Sequence, residues 1–143
     1  MIHIAILKKS WGLLPKILAG EKTVESRWYK NRVAPWDCIR AGETVYFKNG
    51  GEPVSVRAEV DKVLRFADLN PRGIKRIIGQ YGNKLGIGED KLEQFYQMFK
   101  NKRYCILVFL KNPQKIKPFN INKKGFGLMS AWLTTDNLAK IRT

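Results

Sequence analysis

Residues 20–27 read GEKTVESR, and the fold turns on how this stretch is read. It follows WGLLPKILAG, 11–20, where Leu14, Ile17 and Leu18 recur at helical spacing, Ser10 stands where a cap belongs and Pro15 suits only a first turn. Gly20 then fits the left-handed residue that ends a helix. If the chain leaves Gly20 as a strand, alternation puts Thr23, Glu25 and Arg27 on one face and Val24, Ser26 and Trp28 on the other. Lys22, at the helix-to-strand turn, has a stem long enough to reach Glu25. On an exposed edge such a set contributes about 0–1 kcal/mol per pair. Inside a cleft, burial perturbs the charges, and functional groups concentrate where that happens.

Working outward, IHIAIL at 2–7 reads as a first strand, rich in β-branched residues. VYFK (45–48), the turn NGG (49–51) and VSVRAEV (54–60) read as a hairpin whose second strand turns Val54, Val56, Ala58 and Val60 inward. Asn70 caps a helix that begins at Pro71 and shows Ile74, Ile77, Ile78 and Tyr81 on one face. A second helix is predicted at 89–99 from Leu92, Phe95, Tyr96 and Phe99. RYCILVFLK, 103–111, is apolar on both parities and reads as a central strand covered on both sides. These elements predict an α+β fold, a small and mostly antiparallel β-barrel with flanking helices, in one domain spanning 1–143.

Charge narrows the function. The chain has 27 Lys+Arg against 12 Asp+Glu, a formal +15, which points to a polyanionic partner. No acid occurs between Gln94 and Thr135, a window holding Lys100, Lys102, Arg103, Lys111, Lys115, Lys117, Lys123 and Lys124. Residues 1–19 are also acid-free and add Lys8, Lys9 and Lys16; if the termini are neighbours, these cations form one phosphate-binding face. A merely solvated lysine face is the alternative. RWYKNRVAPW, 27–36, interleaves Arg27, Lys30 and Arg32 with Trp28, Tyr29 and Trp36, rings on which unpaired bases could stack. No apolar run approaches the roughly 20 residues of a membrane span. With one histidine, His3, and two cysteines, Cys38 and Cys105, the expectation is no metal, no cofactor, no disulfide and a cytoplasmic setting. Cys105 is expected to act as a small buried hydrophobe.

Gly20, Lys22, Glu25 and Arg27 also fill G-x-K-x-x-E-x-R, and the sequence thereby resembles the ASCH domain family, whose members are similar to PUA domains. The resemblance extends to INKKGFGLMSAWL, 121–133, which looks like the closing strand of many relatives. It implies a β-barrel with a cleft in which the motif residues lie, and RNA (tRNA or single-stranded RNA) or a nucleotide as partner. Lys22 and Arg27 would contact phosphate or a base edge and Glu25 would orient them. Trp28, Trp36 or Trp132 would stack, with Lys30, Arg32, Lys123 and Lys124 as further RNA contacts.

Some relatives are enzymes, so a metal-free hydrolase of RNA or of a modified ribonucleoside stays open beside the binding module. There Lys22 would be the base or nucleophile, Glu25 its partner, and Tyr29 or Ser130 a source of hydroxyl. Relatives that deacetylate N4-acetylcytidine carry threonine where this chain has Glu25. Glu25 would raise the pKa of Lys22 and Arg27 would lower it, so the sequence leaves the direction open. A passive protein-interaction domain is the third class.

Overall fold

The computed structural model describes residues 1–127 and 129–143. Strands β1 (Ile2–Leu7), β2 (Val24–Tyr29), β3 (Thr44–Asn49), β4 (Val54–Phe66), β5 (Tyr104–Phe119) and β6 (Trp132–Thr135) form one sheet in the order β2-β5-β4-β3-β1-β6. All neighbours are antiparallel except β1 and β3, which run parallel. The sheet curls into a half-barrel with β2 and β6 as its two edges.

The expected hairpin is β3–β4, and Val54, Val56, Ala58 and Val60 are all buried on its inner face. Val56, Ala58 and Val60 fill the barrel together with Ala5, Val45, Phe47, Ile106 and Val108, whereas Val54 packs with Ile4, Phe119, Leu133 and Ile141. Helices α1 (Leu13–Leu18), α2 (Pro71–Tyr81) and α3 (Leu92–Phe99) flank it. A second core packs Ile74, Ile77 and Ile78 of α2 and Phe95 of α3 against Val24, Trp28, Cys105 and Leu107 of β2 and β5. β5, pinned between β2 and β4 and covered on both faces, is the central strand that its unbroken apolar run predicts.

Three expectations are corrected. The helix predicted at 11–20 is split. Lys9–Trp11 form a 3-10 turn, Gly12 interrupts at φ +64°, and α1 starts only at Leu13, so Ser10 lies inside the turn and caps nothing. Gly20 does take φ +77°, and Pro15 falls in the first turn of α1. The helix predicted at 89–99 opens with a 3-10 turn, Glu89–Lys91. Of the described residues of the stretch 121–133, which leave out Leu128, only Trp132 and Leu133 belong to a strand: Ile121 makes an isolated bridge to Arg142 and the chain turns at 124–126.

Candidate functional site

β2 pairs with β5 alone, so its other edge is free and faces β1 and the residues leading into β6. Where the two edges of the half-barrel fail to meet there is a cleft of about 560 Å³, within the usual range of ligand sites. Its floor is β2 from Glu25 to Tyr29; Ser130 and Trp132 line one side, Phe95, Met98 and Phe99 of α3 another. Val33, Met98 and Met129, three of the five large apolar side chains exposed among the described residues, stand on its rim.

The charges sit at the bottom of this apolar wall. Arg27 spans the gap between the sheet edges: Nη2 donates to the Ile6 carbonyl (3.1 Å) and Nη1 to the Ala131 carbonyl (3.2 Å). Its guanidinium also lies 5.2 Å above the Trp132 ring and donates from Nη2 to Glu25 Oε2 at 2.8 Å. Two of the five N–H groups of Arg27 stay uncommitted. One, Nε, is the single buried side-chain nitrogen or oxygen without a hydrogen-bond partner among the described residues. Leaving such a donor unmet costs about 1–3 kcal/mol, so it calls for an acceptor.

Glu25 is 3% exposed. Its Oε1 accepts from the Ser26 amide (3.2 Å) and pairs with Lys22 Nζ (3.2 Å). Burial works against its ionisation, yet the charges and hydrogen bonds of Lys22 and Arg27 prevail and hold its pKa below the ordinary carboxylate value. The carboxylate therefore enters the cleft ionised near neutral pH, as an acceptor. Tyr29 stays a protonated hydroxyl near neutral pH, since burial pushes its phenol up to about 12.

Lys22 is placed differently from what its sequence position suggested. It does not line the cleft. At 2% exposure it lies behind Glu25, donating to the carbonyls of Val24 (2.7 Å) and Leu85 (2.8 Å) besides the ion pair with Oε1. All three ammonium donors are thus used. Burial lowers its pKa, against the pull of Glu25. For the direct ligand contact and the nucleophilic role expected of it, Lys22 has little access from the cleft: its stem is walled off by the loop after α2, which supplies Leu85 and lays Gly86 against it. Lys22 positions Glu25.

Other expectations divide. Trp28 and Trp132 line the cleft but are 6% and 5% exposed, held by a stack on Phe99 and a bond from Trp28 Nε1 to Ser26 Oγ, and by a bond from Trp132 Nε1 to His3 Nδ1. They can offer a wall rather than a free ring. Trp36 does not reach the cleft; it is buried in the barrel core against Tyr104. Ser130 lines it and donates Oγ–H to the Trp132 carbonyl (3.0 Å). Lys30, Arg32, Lys123 and Lys124 lie outside the lining, Arg32 over the Trp36 and Tyr104 rings. The β1–β6 pairing does bring the termini together, but Lys9 is paired with Glu52 and Lys16 with the Gly86 carbonyl, so they do not join one free basic face. The α3 wall was not anticipated; Phe99 served the sequence reading only as a core position, and the nearby Met98 was the available signal.

No family model matches the chain, and no curated protein matches its sequence. Solved structures do. A point mutant of the ASCH protein of Zymomonas mobilis aligns over 99% of both chains with a TM-score of 0.67 at 14% identity. This chain has the ASCH fold. The unmutated Zymomonas ASCH structure aligns at TM-score 0.66 and 15% identity, over 99% of this chain and 96% of that one. The N-terminal domain of Staphylothermus marinus McrB is more distant, with a TM-score of 0.54 at 13% identity over 83% of this chain and 76% of its own. Both Zymomonas alignments cover 99% of this chain.

Proposed function

We propose that this chain is an RNA-binding member of the ASCH family and that the cleft holds one unpaired base, or a free nucleotide, edge-on to Glu25 and Arg27. The observation that carries the reading is Arg27, with two uncommitted N–H groups, one of them on Nη1, beside an ionised Glu25 at the foot of an aromatic wall. A base edge offers an acceptor next to a donor, which answers both groups, and its flat face suits Trp28 and Trp132. Such stacking contributes about 1–3 kcal/mol per base. The +15 net charge supports a polyanion as the carrier of that base.

The test is binding of a labelled, unstructured RNA by fluorescence anisotropy as salt is varied. Glu25→Gln keeps the shape but removes the charge, and should weaken binding about tenfold or more while leaving the salt slope unaltered, because no phosphate contact is lost. Equal affinity of wild type and Glu25→Gln at every salt concentration would reject the cleft as the site.

A further inference from the structure

The acid-free window leaves open which of its cations meet phosphate, and the structure separates them. A second, smaller pocket of about 200 Å³ is lined by Lys100, Lys102 and Arg103, with Leu69, Asn70, Pro71 and Asn101 completing it. Backbone bonds tie it to the cleft. The Arg103 amide donates to the Tyr29 carbonyl (2.9 Å) and the Lys102 amide to the Phe99 carbonyl (2.9 Å), and Tyr29 and Phe99 are both cleft residues. Lys30 and Lys100 are the next residues along from them. Arg32 lies 5.6 Å from the Tyr104 ring, one residue past Arg103.

These cations are also uncommitted. Among the described residues, the side chains of Lys30, Lys100, Lys102 and Arg103 make no ion pair, no hydrogen bond and no ring contact. Some cations elsewhere are engaged, Lys9 with Glu52, Lys111 with Asp61 and Lys140 with Asp136; what sets these four apart is that they gather beside the cleft. Asp68, the acid that precedes the pocket residue Leu69, is exposed and forms no ion pair with any of them. Four unpaired cations from two segments, meeting one residue from the wall of an apolar cleft, would repel one another without an anion between them.

We propose that this pocket, with Lys30, holds the phosphates flanking the base in the cleft, so that a single strand of RNA runs from the cleft past the end of β2 and over the α3–β5 turn. The inference rests on the proposed RNA reading of the cleft and adds the strand's path. A path of this kind selects single strands, because a base can enter the cleft only when it is out of its stack.

The experiment compares Lys100→Gln/Lys102→Gln/Arg103→Gln with Lys91→Gln/Lys115→Gln/Lys117→Gln, which removes the same charge from exposed positions outside both pockets. The probe is a labelled oligouridine of about 12 nucleotides, within the span of small single-strand sites. Three lost phosphate contacts should lower the log-log salt slope by about 2 in the pocket variant and leave it nearly unchanged in the control variant. A slope that stays at the wild-type value in the pocket variant, or falls equally in both, overturns the path. Circular dichroism confirms the fold of each variant, and charge reversal at the exposed Arg103 alone (Arg103→Glu) gives the same readout with a single change. Failure of the cleft reading is seen separately, as unchanged affinity in Glu25→Gln while the pocket variant still loses its slope.

Discussion

At the scale of single residues, Lys22 carries the clearest energetic consequence. Its ammonium is buried with three acceptors, so removing it leaves the Glu25 carboxylate buried with less compensation. Breaking a buried pair from one side costs about 3–5 kcal/mol, and Lys22→Met is expected to lower the urea midpoint accordingly. A loss below about 1 kcal/mol would mean that the ammonium is not the anchor described. The pH dependence follows from Glu25. Its folded pKa is depressed below the ordinary 4.5, so the stability it contributes is present above that value and is lost as pH falls through the folded pKa. Glu25→Gln should therefore flatten the acid limb of the stability curve while leaving its shape near neutrality alone, which urea titrations between about pH 2 and pH 7 would read. The three charges of the motif were legible in the sequence, and so was the shared face of Glu25 and Arg27. The inward turn of Lys22 was not, since its decisive acceptor, the Leu85 carbonyl, comes from a loop more than sixty residues away in the chain.

At the scale of elements, what could be read followed burial. β1, the β3–β4 hairpin and the apolar half of β5 announce themselves because alternation or unbroken apolar runs have only one comfortable place in a curled sheet. The second half of β5, Lys111–Phe119, gives no such signal: KNPQKIKPF has two prolines and three lysines. It is a strand because β4 continues alongside it, while β2 pairs only as far as Phe109 and leaves the other edge open. An open edge tolerates Pro113 and Pro118, and the register shift opposite Ala58, with Asn112 at φ +52°, absorbs the misfit. α2 is the opposite case, a helix whose start is written locally. The Asn70 side chain accepts from the Gly73 amide at 2.8 Å and Pro71 opens the first turn. Asn70→Ala is expected to cost about 0.5–2 kcal/mol, read as a lower melting temperature. Asn70 also borders the basic pocket, so the same variant shows whether a correctly started α2 is needed to hold Lys102 and Arg103 in place for RNA.

At the scale of the whole molecule, the excess charge acts on the fold as well as on its partner. The ion pairs among the described residues are few, and several are exposed enough to contribute little, as in Lys9–Glu52 and Lys140–Asp136. Most of the 27 cations therefore make no ion pair with a carboxylate among the described residues. Self-repulsion of this kind destabilises the compact state and is screened by salt over a distance that shrinks from about 30 Å at 0.01 M to about 10 Å at 0.1 M. The buried Lys22–Glu25–Arg27 set is largely sheltered from that screening. The net effect of adding sodium chloride across this range should be a rise in melting temperature, the reverse of what a protein held together by surface ion pairs would show. On the proposed reading RNA should produce the same rise at a far lower concentration, by binding the folded state and neutralising the repelling groups together. Differential scanning fluorimetry at a series of salt concentrations, with and without oligouridine, measures both. A melting temperature that falls with salt would show that the charges stabilise this fold, and the basic surface would then need a structural explanation in place of an RNA-binding one.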